Sequence, residues 1–187
     1  MKLHLLITLI ITLTVYSPGK AQKILFLGNS LTCANNLPQI LEYLAKDLDE
    51  PVQTTVLCFP NYALEDHWND GKFQKMMSEE SFNYVIVQQG PSSQPPGKQM
   101  LVEYGAKIKS ICKEKGVNLA YFMVWPSKQY YFTFDRVIAN HKYAAKTNES
   151  ILFAVGIIWK KYEENKNKEN LYSYDNFHPQ QRVVWLH

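Results

Sequence analysis

KILFLGNSLT, residues 23–32, joins an apolar run from Lys23 to Leu27 to a glycine, an asparagine and a serine. A run this short, continuous rather than alternating, is the pattern of a strand buried on both faces, as in a parallel sheet covered by helices. Gly28 ends it and permits a tight turn. Ser30 follows at once, where a hydroxyl would stand at the sheet edge with its backbone N–H facing the same cavity. Asn-Ser also caps turns and helices. From this stretch alone Ser30 reads equally as a nucleophile or as a cap.

The pattern recurs along the chain. Residues 53–59 are rich in β-formers and stop at Pro60-Asn61, and residues 83–88 (NYVIVQ) read as another buried strand before a Gly/Pro/Ser-rich loop through Gly97. Residues 118–125 form a strand halted by Pro126, and residues 150–155 a fifth. Between them, residues 37–48 place Leu37, Ile40, Leu41, Leu44, Ala45 and Leu48 at helical spacing, with Pro38 suited to the first turn. Residues 64–77 are helical in pieces, broken near Asn69-Asp70-Gly71. Residues 98–115 are amphipathic with Gly116 as C-cap, and residues 132–146 and 156–165 are helical. The Asn/Lys/Glu stretch to Asn170 reads as a solvated face and loop.

Five short strands separated by helices predict a three-layer α/β/α sandwich on a five-stranded parallel sheet, flavodoxin-like in strand order. No internal repeat or long linker divides residues 23–187, which read as one domain. Sites in such sheets lie at the carboxyl ends of the strands. That rule selects Gly28-Asn29-Ser30, Pro60-Asn61, residues 88–93, Trp125-Pro126 and the loop after the last strand.

The chain has 187 residues, 46% apolar and 20% charged, with a net charge of +3. Its Lys and Arg are interleaved with acids, so no basic stripe argues for nucleic acid. Residues 1–22 have the layout of a signal peptide: Lys2, an apolar run from Leu5 to Val15, then small turn-prone residues before a cut after Ala21 or Gln22. A secreted or periplasmic protein is expected, without stable membrane insertion once the signal is removed. A retained anchor is the alternative, although the run falls short of the roughly 20 apolar residues of a span. Cys33, Cys58 and Cys112 are odd in number, which leaves at least one thiol unpaired. No Cys/His spacing suggests a metal, and all three are expected as packing residues.

A second motif, Asp175-Asn-Phe-His178-Pro179, lies near the other end. A hydroxyl attacks an ester when a base removes its proton, and imidazole titrates near neutrality. The imidazole needs an acceptor on its other nitrogen, which an Asp three residues earlier can supply. Pro179 would place His178 at the start of a helix. An Asp-His capping pair is the other reading of these residues.

Together GNSLT, the polar loop after the second strand, VIVQQGPSSQP after the third and DNFHP resemble the SGNH, or GDSL-like, hydrolase family, in order from Lys23 to Pro179. The resemblance implies a serine esterase without metal or cofactor, with Ser30 as nucleophile, His178 as base and Asp175 as its partner. It departs from the family's GDS at Asn29, and Asn61 stands in FPNYALEDHW where the family offers a Gly N–H. An Asn can adopt positive φ and still present a backbone donor. The family's GxND is replaced by Gln88-Gln89-Gly90, resembling subfamilies in which a Gln follows the strand. Oxyanion donors are each worth roughly 3–4 kcal/mol of barrier. The resemblance assigns them to the Ser30 N–H, the Asn61 backbone and the Gln88 side chain. Gln88 as an amide bonding the neighbouring loop, and Gln89 as the donor instead, remain open.

His67 is expected as a surface or packing residue, with lining the pocket as its alternative, and His141 as a surface one. Trp125-Pro126, Tyr130 and Tyr131 could wall a pocket for acyl or sugar groups, or serve as core. Relatives of this type continue after the His with a longer helix, so Val183, Val184, Trp185 and Leu186 read as the stub of a truncated one. The expected substrate is a small acyl ester, on a small molecule or a carbohydrate; a lipid ester is less favoured for want of an apolar lid. Two rivals remain: an inactive glycan-binding module of the same fold, and a flavodoxin-like nucleotide binder. The second should carry a Gly-rich phosphate loop, whereas GNSLTCANN has a single Gly.

Overall fold

A computed structural model describes residues 21–165 and 169–180. Residues 1–20 of the segment expected as a signal, and the block from Val183 to Leu186, lie outside the described residues. Five strands, β1 (Gln22–Gly28), β2 (Val52–Cys58), β3 (Tyr84–Val87), β4 (Asn118–Phe122) and β5 (Ile151–Phe153), form one parallel sheet in the order β2-β1-β3-β4-β5. Helices connect them: α1 (Ser30–Cys33), α2 (Leu37–Asp47), α3 (Leu64–Asn69), α4 (Lys72–Glu79), α5 (Pro95–Lys115), α6 (Phe134–Thr147) and α7 (Val155–Glu163). This is the expected α/β/α sandwich with flavodoxin-like order.

The centre of the sheet is buried on both faces because β1, β3 and β4 carry apolar side chains in both directions. Leu25 and Leu27 of β1 join Val85, Val87, Leu119 and Tyr121 in one core. Ile24 and Phe26 point the other way, against Ile86 and Ala120. A third cluster at the carboxyl end holds Leu31, Trp125, Phe134, Trp159 and Tyr172, with Trp125 and Trp159 stacked at 3.6 Å.

Several local expectations are corrected. His141 is not a surface residue but 1% exposed, its Nδ1 donating to the Val137 carbonyl one helical turn back at 2.9 Å. Cys33 and Cys58 are not packing residues: they form a disulfide, leaving buried Cys112 as the free thiol. The Cys112 thiol is pushed up to about 12 by desolvation. Pro179 does not open a helix; it pairs in an antiparallel bridge with Tyr172. β4 leaves the ladder after Phe122, three residues earlier than Trp125. Helix α5 starts three residues earlier than Lys98, because Pro95 and Pro96 suit a first turn whose N–H groups need no partner.

Candidate active site

The turn after β1 is built around Asn29. Its Oδ1 caps α1 by accepting from the Leu31 N–H at 3.1 Å, and its carbonyl accepts from the Thr32 and Cys33 N–H groups. Its own N–H donates to Gln88 Oε1 at 3.0 Å. Among the described residues, the Ser30 N–H is the one amide of this turn with no acceptor. The same holds in the loop after β2. There Phe59 N–H donates to the Gly28 carbonyl, Tyr62 to the Phe59 carbonyl, Ala63 to Asp66 Oδ2 and Leu64 to Gln89 Oε1. Asn61, at φ 63°, keeps its N–H unengaged among the described residues. The left-handed conformation that an Asn tolerates is therefore used at this position.

The loop after α7 supplies the other half. Between Leu171 and Gln180 the chain doubles back, with Ser173 N–H donating to the His178 carbonyl and Gln180 N–H to the Leu171 carbonyl. Asp175 Oδ1 accepts from Ser173 Oγ, Phe177 N–H and His178 N–H at 2.7 to 2.9 Å. Its Oδ2 accepts from His178 Nδ1 at 2.5 Å. With that tautomer, His178 Nε2 accepts from the Ser30 hydroxyl at 2.9 Å. The structure thus brings Ser30, His178 and Asp175 into one hydrogen-bonded series. Partial burial opposes ionisation of Asp175, but bonds from His178, Phe177 and Ser173 outweigh it and hold the carboxyl well below its ordinary range.

Trp125, read from the sequence as wall or core, and two residues not singled out there, Tyr172 and Asn35, anchor this loop to the sheet. Trp125 Nε1 donates to the Phe177 carbonyl, Tyr172 Oη to the Pro126 carbonyl and Asn35 Nδ2 to the Pro179 carbonyl. Their polar atoms are small parts of residues that read as core or turn, so the sequence carries no signal for the role. Trp125 and Tyr131 pack in the core cluster rather than forming a wall, while Tyr130 does line the site. His67 is a buried packing residue; its Nε2 donates to the Gly28 carbonyl at 2.8 Å. Desolvation lowers its pKa, with the Gly28 carbonyl opposing.

Ser30, Asn29, Asn61, Tyr62, Gln89 and Phe177 line a cavity of about 350 Å³. It shares Pro91, Ser92, Gly97 and Phe177 with a groove of about 960 Å³ walled by Pro126, Lys128, Tyr130 and Phe132. Gln88 lines neither. It is 2% exposed, and its Nε2 donates to Asn29 Oδ1 at 3.0 Å while Oε1 accepts from Asn29 N–H and Thr32 Oγ1. Gln89 reaches the cavity wall, but its Nε2 holds Ser92 Oγ and the Gly97 carbonyl. The structure therefore places Ser30 and Asn61 at the cavity and Gln88 beneath the turn.

The chain matches no protein-family model and no curated protein sequence. Solved structures similar to it include a protein described as an SGNH hydrolase from Slackia heliotrinireducens, 21% identical over 89% of this chain and 94% of that one, with TM-score 0.73. A lipase/acylhydrolase from Enterococcus faecalis is 11% identical over 88% and 90%, with TM-score 0.68. A variant of an acetyl xylan esterase from Geobacillus stearothermophilus is 10% identical over 89% and 91%, with TM-score 0.66.

Proposed function

We propose that this chain, which has the SGNH hydrolase fold, is an exported serine ester hydrolase acting on small acyl esters through an acyl-serine intermediate. Ser30 Oγ attacks the acyl carbonyl as His178 Nε2 takes its proton. Asp175 holds the imidazole in the tautomer this requires and steadies the imidazolium. The oxyanion is met by two loop amides that have no acceptor among the described residues, Ser30 N–H and Asn61 N–H. His178 returns the proton to the departing alcohol, and water then clears the acyl group by the same route. The observation that carries this reading is the unbroken series from Ser30 Oγ through His178 to Asp175, at 2.9 and 2.5 Å.

Cavity size supports a short acyl group beside the serine. The larger groove, with Tyr130 55% and Phe132 76% exposed among serines, glutamines and a single lysine, suits the flat faces and hydroxyls of a carbohydrate alcohol. Export is supported by the signal layout of residues 1–22 and by the Cys33–Cys58 disulfide, which persists in oxidising compartments. The test is hydrolysis of p-nitrophenyl acetate by wild type and Ser30→Ala, with a fluorophosphonate probe mapped to its peptide. Ser30-dependent turnover and labelling at Ser30 are expected. Equal rates from both proteins would leave the groove as a glycan-binding surface without turnover.

A further inference from the structure

We propose, building on the esterase reading above, that Gln88 is a positioning residue: it holds the turn after β1 so that the Ser30 hydroxyl and N–H stay aimed at the substrate carbonyl. Gln88 follows the last residue of β3, and its backbone N–H donates to the Leu27 carbonyl at 2.8 Å, which fixes its start point against β1. From there the side chain crosses under the turn and makes three hydrogen bonds, all to it. Oε1 accepts from Asn29 N–H at 3.0 Å and Thr32 Oγ1 at 2.7 Å, and Nε2 donates to Asn29 Oδ1 at 3.0 Å. These partners flank Ser30 on both sides.

The consequence for the nucleophile is geometric. Asn29 Oδ1 is also the cap of α1, and Asn29 Nδ2 donates to the Tyr62 carbonyl at 3.0 Å, beside Asn61. By fixing the orientation of the Asn29 amide, Gln88 sets the register between the Ser30 N–H and the loop that carries the Asn61 N–H. Gly28 makes room for this reach: a Cβ there would lie 2.7 Å from Gln88 Oε1 and 2.4 Å from Thr32 Oγ1. A buried amide with all its neighbours inside one turn constrains that turn more tightly than apolar packing does, because every misalignment strands a desolvated polar atom.

The experiment compares wild type, Gln88→Met and Gln88→Glu on p-nitrophenyl acetate. Each rate is divided by the number of active sites counted by fluorophosphonate labelling, with Ser30→Ala as blank. Gln88→Met removes all three side-chain bonds at similar volume. Gln88→Glu keeps both bonds accepted by Oε1 but turns its second oxygen toward Asn29 Oδ1. Misplacing a reacting group by about 1 Å costs roughly 10²-fold, so kcat per labelled site should fall toward that extent in Gln88→Met and less in Gln88→Glu, with KM unchanged. A residue that served only stability would lower the melting temperature or the number of labelled sites and leave kcat per labelled site at the wild-type value. That result overturns the proposal. If Gln88→Met does not fold, Gln88→Glu decides by the same criterion. Wild-type turnover that survives Ser30→Ala overturns the esterase reading and this role with it, and is recognised without any Gln88 variant.

Discussion

Replacing Cys33 and Cys58 together by alanine should destabilise the protein without dismantling its site. The bridge closes a loop with a sequence separation of 25. The loop-closure relation gives about 11.7 cal/mol/K for that length, or about 3.5 kcal/mol at 25 °C, removed from the unfolded ensemble by the cross-link. In a chain of 187 residues this corresponds to a fall in melting temperature of roughly 7–14 °C. The two loops stay tied by Phe59 N–H to the Gly28 carbonyl and by Asn29 Nδ2 to the Tyr62 carbonyl, so Ser30 should still label with a fluorophosphonate. The assay is urea unfolding of the oxidised wild type and the double variant, followed by tryptophan fluorescence. Thiol counting supplies the control. The oxidised folded protein should expose no reactive thiol, because Cys112 is buried with its thiol pushed up to about 12, and reduction in denaturant should expose all three cysteines. Unfolding free energies within about 1 kcal/mol of each other would refute the reasoning. Two reactive thiols in oxidised, denatured protein beyond Cys112 would do so as well.

The site and the core make further expectations. Asp175→Asn retains an oxygen to accept from Ser173 Oγ and the Phe177 and His178 amides, but loses the charged acceptor of His178 Nδ1. Its kcat should fall by roughly 10⁴-fold with KM little changed, and a loss of under about tenfold would argue against its role. His141 is held at about 4 in the folded chain by desolvation, against 6.5 unfolded, with the Val137 carbonyl opposing. The unfolded chain therefore binds its proton first. Stability should drop by about 3 kcal/mol as pH falls from 6.5 to 4, a slope that His141→Leu should flatten in denaturant titrations. Asp175 acts lower on the scale. Its depressed pKa contributes stability above its ordinary value of 3.8 that is lost as pH falls further, so Asp175→Asn should soften only the acid-most part of the unfolding curve.

The fold was readable because period and punctuation are local properties. β1 and β3 are short apolar runs ended by Gly or a polar residue, β2 is a run of β-formers stopped by Pro60, and helical periods separate the strands. The one hand of crossovers between parallel strands gave helices on both faces, and the order β2-β1-β3-β4-β5 matches the flavodoxin-like expectation. Spacing to Gly28 and Asp175 left Ser30 and His178 open between a catalytic and a capping reading, and the resemblance of GNSLT and DNFHP to SGNH hydrolases was what singled them out. Gln88 was a harder case. From the sequence an amide after a strand can face the cavity or the neighbouring turn, and one residue of strand length decides which. The Cys33–Cys58 pairing was illegible for a similar reason: neither cysteine lies in a local motif, and they meet because β1 and β2 are register partners, with Gly28 opposite Cys58. His141 looked amphipathic and solvated on its helix, yet a packed α6 buries that position and leaves its Nε2 without a partner among the described residues.

The contact between Ser30 and His178 joins positions 148 residues apart. In the mechanism proposed above, the nucleophile Ser30 emerges from the ribosome with the first strand, while its base His178 is still untranslated. On the same reading, no nascent chain that lacks residues 171–180 can own a competent base, however well its sheet has formed. Reactivity toward an acylating reagent, on that reading, follows the docking of this loop and reports that residues 30 and 178 have come together.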